Sequence, residues 1–148
     1  MSVTFSDTER AYTDVHGKTL TDVAAVIAQQ GEAAKAEWFP PLAYDRSATV
    51  TVRTKITMPR WPEYTSAPQA EKDEWDRFFA ALQAHEEGHI DLVRQQLSGI
   101  DDQLAGLSSD QANSAWTAAL QQLQDASDSY DTDTDHGRNQ GTIINLGP

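Results

Sequence analysis

Cysteine is absent from this chain of 148 residues, which excludes disulfide bonds, thiolate metal sites and a cysteine nucleophile. Long apolar runs are absent too. None approaches the ~18 residues that a transmembrane helix requires, so we expect no membrane insertion. The opening residues 1–5 have neither the basic nor the apolar region of a signal peptide. We therefore expect either a cytoplasmic protein or one whose leader was removed before Met1.

Basic residues are scarce: 11 Lys and Arg stand against 23 Asp and Glu, which gives a formal net charge of −12. A surface of that sign repels nucleic acids and anionic lipids, so we expect neither as a partner. The acidic excess is greatest from Gln95 onward, where the chain has eight Asp and the single basic residue Arg138. The length is that of one domain, residues 1–148, and we expect a monomer.

The most informative pattern is the segment His85-Glu86-Glu87-Gly88-His89, which has the form H-E-x-x-H. On a helix, side chains four residues apart lie on one face, so two histidines at that spacing can bind one metal ion. The glutamate after the first histidine is placed to take a proton from a metal-activated water. The pattern therefore predicts that His85 and His89 bind Zn²⁺ and that Glu86 is the general base.

The surrounding sequence predicts a helix for residues 66–98, which we call the active-site helix. It opens with a capping box at Ser66 and continues without proline from Glu71 to Leu97. Both histidines of the motif fall on its apolar stripe, where unliganded imidazoles would be costly to bury. The glycine inside the motif, Gly88, either permits the close approach of another segment or has no function.

A tetrahedral catalytic zinc needs a third protein ligand beside the two histidines. All eight glutamates lie at or before Glu87, so a glutamate ligand downstream of the motif, as in thermolysin-like enzymes, is excluded. The segment Ile90–Gln95 lacks the metzincin extension, so the third histidine of the metzincins is excluded too. Downstream of the motif the chain offers only aspartates and one histidine, His136. We predict His136 as the third ligand, because Gly137 lets the backbone approach the metal, and an aspartate is the alternative.

His136 belongs to a polar segment, residues 130–137, that permits other interpretations. Its aspartates fit the start of an EF-hand calcium loop, but His136 and Thr142 replace the glycine and glutamate that this loop requires. A solvated acidic loop without a ligand is another interpretation. If the segment closes a zinc site, Asp131 and Asp135 are candidates to accept the free ring N–H of a liganding histidine.

The remaining pattern predicts an α+β fold with a short antiparallel sheet, the active-site helix and a backing helix. A helix is expected between Thr19 and Gly31, and the clearest strand is Ala48–Met58, in which apolar residues alternate with polar ones. The expected order along the chain is mostly sheet plus one helix in residues 1–62, the active-site helix in 66–98, the backing helix in 108–128 and a ligand-bearing tail in 129–148.

The motif and the later polar segment together resemble the predicted secreted zinc-dependent proteases of bacteria, a family catalogued as a domain of unknown function. Coverage runs from Tyr12 to Gly141. Members usually carry a signal peptide, which this chain does not show. The resemblance rests, besides the H-E-x-x-H motif, on Tyr12-x-x-x-x-Gly17-x-Thr19, on Thr57-Met58-Pro59-Arg60-Trp61-Pro62 and on Tyr130-Asp131-x-x-Thr134-x-His136-Gly137.

This resemblance implies a small zincin-like metallopeptidase with His85 and His89 as ligands, Glu86 as base and His136 as third ligand. The expected reaction is zinc-assisted hydrolysis of peptide bonds in a peptide or protein substrate. Tyr130 is a candidate donor to the oxyanion or else an anchoring residue.

By analogy of fold, the strand Ala48–Met58 is a candidate to hold an extended substrate. Two other classes of function stay open. One is a metal-binding or partner-binding domain with little turnover, and the other is a metallohydrolase that acts on amide bonds of cell-wall material.

Overall fold

A computed structural model describes residues 3–45 and 49–147. It confirms the α+β class, with three long helices, one short helix and a four-stranded sheet. The elements are β1 (Val3–Phe5), β2 (Glu9–Asp14), α1 (Leu20–Gln30), β3 (Lys35–Phe39), β4 (Val50–Arg60), α2 (Gln69–Leu97), α3 (Ile100–Leu104) and α4 (Ser109–Asp133), with short 3-10 helices at Tyr64–Ser66 and Arg138–Gln140.

The sheet is built around β4, whose residues alternate between buried and less buried positions as the sequence predicts. The strands β1 and β2 pair with β4 in parallel, whereas β3 pairs with it antiparallel. The prediction of an antiparallel sheet is therefore wrong. The reason is the connection, because α1 and β3 separate β2 from β4 and provide the crossover that parallel pairing needs. Ala48, where the strand was predicted to begin, lies outside the described residues.

Helix boundaries follow the local signals at α1 but not at α2. Thr19 caps α1 by accepting from the N–H of Asp22, and Gly31 ends the helix with a φ of 85°. The capping box predicted at Ser66 does not form, because Ser66 lies in the preceding 3-10 helix and the extended Pro68 is the residue before α2. The long helix α2 otherwise matches the predicted active-site helix.

The helix α4 begins as predicted and ends later than predicted. Ser108 and Gln111 form both bonds of a capping box. The helix then continues to Asp133, because no glycine or proline interrupts it, so residues 129–133 are helical and do not belong to a tail. None of the described helices has the length and apolarity that crossing a membrane requires.

Two hydrophobic cores lie along α2. The first core packs α1 and β4 against the first half of the helix, through residues such as Phe78 and Leu82. The second core packs α3 and α4 against its last turns, through Val93, Leu97 and the fully buried Trp116. Burial of each such side chain contributes about 1.5–3 kcal/mol. The H-E-x-x-H segment lies between the two cores and is thus held on a rigid element.

Candidate metal centre

The two histidines of α2 and one aspartate of α4 form a compact group. His85 and His89 are one helical turn apart and almost fully buried, with exposed fractions of 4% and 6%. Their Nε2 atoms lie 3.1 and 2.9 Å from the same oxygen, Oδ1 of Asp131. One ligand atom from each residue falls within 4.8 Å of the others, which is the spacing of atoms around a single ion. The group can therefore hold a metal ion.

The outer ring nitrogens of both histidines are held by side chains that the sequence analysis did not single out. Nδ1 of His85 is 2.7 Å from Oε1 of Gln140, and Nδ1 of His89 is 2.7 Å from Oγ of the buried Ser127. Because an amide oxygen can only accept, His85 donates from Nδ1 and, when neutral, has a lone pair on Nε2. That lone pair faces the carboxylate of Asp131, which is also an acceptor.

Two acceptors about 3 Å apart need a cation between them or a proton on the ring. Burial lowers the pKa of His89, against the opposing effect of Asp131, and so favours the neutral form of that ring. Two neutral imidazoles and a carboxylate form a donor set that Zn²⁺ accepts. The residues present therefore fit the metal that the motif predicts.

A closed set of hydrogen bonds fixes His85 from two directions. The hydroxyl of Tyr130 donates to the backbone oxygen of His85 at 3.1 Å, and Nε2 of Gln140 donates to that hydroxyl at 3.2 Å. Since Gln140 also accepts from Nδ1 of His85, the ring and the main chain of one residue are held together. The ring of Tyr130 stacks on the imidazole with centroids 4.9 Å apart. This arrangement sets the orientation of Nε2 toward Asp131.

Two glycines permit these contacts. A Cβ atom on Gly88 would lie 2.6 Å from Cζ of Tyr130 and still closer to its hydroxyl oxygen. Of the two interpretations of this glycine, close approach of another segment is therefore confirmed. Gly137 has a φ of 86°, and a Cβ there would lie 3.0 Å from Cγ of His85. Its backbone therefore packs on the ring of His85, whereas the sequence analysis expected this glycine to bring His136 to the metal.

Glu86 is buried beside this group, with an exposed fraction of 6%. Burial raises the pKa of Glu86 to about 7, and the negative charges of Asp131 and Glu32 add to the rise, while the backbone N–H of Ala36 opposes it. The next residue, Glu87, lies on the other side of the helix, is 45% exposed and pairs with Arg10 at 3.1 Å. Adjacent glutamates thus have different environments, and only Glu86 faces the site.

The structure leaves His136 outside the group that it was predicted to complete. His136 is exposed, has a φ of 55° and lines the same cleft, but the group of three contains Asp131 in its place. The difference follows from the length of α4, which carries Asp131 to a position facing both histidines. Asp135 is exposed and lies 3.7 Å from Arg138, while the outer ring nitrogens that it was expected to hold contact Gln140 and Ser127. The hydroxyl of Tyr130 contacts the main chain of α2, as an anchoring residue would.

Ser127 and Gln140 belong to no motif. The helical spacing of residues could have predicted the position of Ser127 but not that of Gln140. Ser127 and Asp131 continue the buried stripe of α4 from Leu123 at four-residue spacing. Gln140 reaches His85 only through the turn at residues 137–141, which the sequence does not predict.

The group opens into a cleft of about 1010 Å³ between α2, α4, β3 and the tail. The segment from Gly31 to Ala36 forms one wall, with Trp38 beyond it. The strand Ala48–Met58 was a candidate to hold substrate, but residues 55–57 pair on both sides, with β2 and with β3. The strand that borders the cleft is β3.

Comparison with curated proteins and with solved structures found no match. A family model described as "Bacterial protein of unknown function (DUF922)" matches residues 10–137, which include every member of the metal group. The resemblance to a bacterial domain of unknown function is thus confirmed at the level of the family. This chain belongs to the DUF922 family.

Proposed function

We propose that the protein is a zinc-dependent peptidase in which His85, His89 and Asp131 hold the metal and Glu86 moves the proton. The observation that carries the proposal is the convergence of two buried histidines and a carboxylate beside a buried glutamate. The aspartate replaces His136 as the proposed third ligand, because its Oδ1 already lies within hydrogen-bond distance of both Nε2 atoms.

The chemistry of this donor set suits hydrolysis. A bound Zn²⁺ ion supplies Lewis acidity toward an amide carbonyl and lowers the pKa of water to about 7. Gln140 and Ser127 hold the outer nitrogens of the two histidines and keep the inner nitrogens directed at the metal position.

Glu86 is suited to accept a proton and to deliver it again. Burial, together with the negative charges of Asp131 and Glu32, raises the pKa of its carboxyl toward neutrality, where a group can both take and return a proton. The attacking water would lose its proton to Glu86, and the leaving amine would gain that proton as the bond between carbon and nitrogen breaks.

The position of β3 supports a peptide substrate. Within the described residues, β3 pairs with β4 along one edge, and the start of β3 together with the two residues before it (residues 33–36) lines the cleft beside Glu86. An extended chain can bind along a free strand edge through main-chain hydrogen bonds. A substrate bound there would lie across the metal position, next to the proposed base.

The proposal is tested by a pair of adjacent substitutions. Glu86→Gln removes only the proton carrier, so we expect unchanged zinc content and a loss of peptide hydrolysis by several orders of magnitude. Glu87→Gln changes the same side chain on the exposed face and should retain most activity. Cleavage of a quenched peptide library and elemental analysis of the purified proteins are the measurements. No cleavage by the zinc-loaded wild type, or equal losses in both variants, would contradict the assignment.

A further inference from the structure

The cleft has two ends with different chemistry. The apolar end is formed by Ile27 of α1 and by Ile143 and Ile144 of the tail. The acidic end is formed by Gln124 and Asp128 of α4. Both ends open to solvent, since Ile143 is 55% exposed and Asp128 is exposed, so both are available to a ligand.

The two ends lie at different levels of α2. The tail is bound to the first half of the helix, because Arg77 donates to the backbone oxygens of Gly141 and Ile143 at 3.0 and 2.7 Å. The acidic end is level with the second histidine, because Ser127, the residue before Asp128, contacts His89. The helix from Arg77 to His89 is ~18 Å long at 1.5 Å per residue. That length equals about five residues of extended chain.

The strand β3 runs between the two ends. Ala33 and Ala34 pack against the first core, near the apolar end, whereas Trp38 packs against the second core. Ala36, between them, directs its N–H toward Glu86. An extended peptide along β3 would therefore pass the base in its middle and reach both ends.

Some of the charged side chains that line the cleft have a neighbour of opposite charge, whereas Asp128, in the part of the chain that the structure describes, does not. Lys35 lies 3.6 Å from Glu37, and Arg138 lies 3.7 Å from Asp135, so each of these cations has an acidic neighbour. Asp128 accepts a hydrogen bond from Gln124 at 3.0 Å and has no ion pair among the described residues. A cationic group at the acidic end would thus meet a carboxylate without a competing Lys or Arg side chain among the described residues.

We propose that the cleft selects peptides with a large apolar side chain for the apolar end and a Lys or Arg side chain for the acidic end, about five residues apart. This selectivity rests on the proposed peptidase function in one respect: that function places the reacting bond of the substrate in this cleft. The apolar end removes hydrocarbon from water, and Asp128 attracts the cation without breaking an existing ion pair.

The test measures binding apart from cleavage. Fluorescent peptides that carry both features, one or neither are titrated onto zinc-loaded Glu86→Gln protein. We expect the apolar side chain to strengthen binding about 10-fold. The cation should add about 3-fold at low ionic strength, less in salt.

The chain offers a matched control for each end. Ile143→Ser should abolish the preference for the apolar side chain, whereas Leu146→Ser should leave it, because Leu146 is equally exposed on the tail (53%) but does not line the cleft. Asp128→Asn should abolish the preference for the cation. Asp125→Asn should not, although Asp125 accepts the same kind of bond from Gln121 at 3.0 Å one turn away from the cleft.

The outcomes separate the two proposals. Equal binding of all peptides, or equal effects of the variants and their controls, would overturn the selectivity whether or not the wild type cleaves peptides. Selective binding that follows Ile143 and Asp128, without cleavage by the wild type, would support the selectivity and overturn the peptidase function.

Discussion

The two helices that form the candidate metal centre hold its side chains by different means. On α2, the residues His85, Glu86 and His89 are nearly inaccessible and lie between two hydrophobic cores. On α4, the side chain of Asp131 is 32% exposed and is held by its contacts with the histidines themselves.

This difference divides the site into a packed half and a polar half. Packing fixes the positions of α2 through many small contacts that do not depend on the ligand. The polar half depends on a few hydrogen bonds whose partners are the proposed ligands, so its geometry and a bound metal would support each other. Substitutions in the two halves should therefore have different effects on stability and on metal affinity.

The largest expected effect separates Asp131 from His136. Asp131→Ala removes a proposed ligand and should lower zinc affinity by more than the ~100-fold upper range for residues that only orient ligands. His136→Ala should leave affinity within a few fold, because His136 is exposed and lies outside the group. Competition with a chromogenic chelator measures both. The opposite ranking would restore His136 as the third ligand.

The next largest effect is expected on the free energy of unfolding of the metal-free protein, through the buried carboxyl of Glu86 in the packed half. The pKa of Glu86 is raised to about 7 in the folded chain, so folding retains a proton that the unfolded chain releases near the ordinary pKa of 4.5. Stability is therefore lost as pH rises from about 4.5 to 7, by ~3 kcal/mol. Glu86→Gln should be more stable than the wild type at pH 8 by about this amount and equal at pH 4. Urea unfolding in a chelator would show this, and a gap independent of pH would contradict it.

An added methyl group at Gly88, where the two halves touch, should lower the free energy of unfolding by a somewhat smaller amount. Gly88→Ala adds a methyl group against Tyr130, and we expect a net loss of up to ~2 kcal/mol, since overpacking costs about 1–3 kcal/mol and alanine favours the helix by ~1 kcal/mol. Thermal unfolding measures this loss. Tyr130→Phe in the same chain should recover part of it. A stabilised Gly88→Ala protein would mean that Tyr130 does not approach α2.

The smallest effect is expected at Gln140, which lies in the polar half. Gln140→Ala removes the acceptor of His85 Nδ1 and should weaken zinc binding about 10-fold with little change in stability. Gln140→Glu keeps an acceptor and should restore affinity, and the exposed Gln122→Ala is the control. Isothermal titration with zinc would reveal these differences. Unchanged affinity in Gln140→Ala would exclude its role in positioning the ligand.

Local signals predicted the packed half well. Spacing alone gave the burial of His85 and His89, the environments of Glu86 and Glu87, and the long helix that carries them, because period and polarity act within a few residues. The caps of α1 and α4 were equally local. The capping box at Ser66 failed because Pro68 disfavours a helical backbone at Ala67, which would have been the first helical residue and is extended instead.

The polar half and the sheet depend on contacts that are distant in sequence. Whether two strands pair in parallel or antiparallel depends on the connection between them. The residues of β4 alone do not indicate that connection. Which of His136 and Asp131 lies beside the two histidines depended on where α4 ends. A helix without proline or glycine continued five residues further than predicted and turned Asp131 inward.

The contact between His89 and Asp131 joins residues that are 42 positions apart. In a chain without cysteine, a metal bound by both residues would cross-link them, as a disulfide bond would in another protein. By the entropy relation for cross-links, a loop of that length restricts the unfolded chain by about 4 kcal/mol. Such a bridge can also be removed by a chelator without any redox chemistry. Supply of the ion would then regulate the lifetime of the folded chain as well as its chemistry.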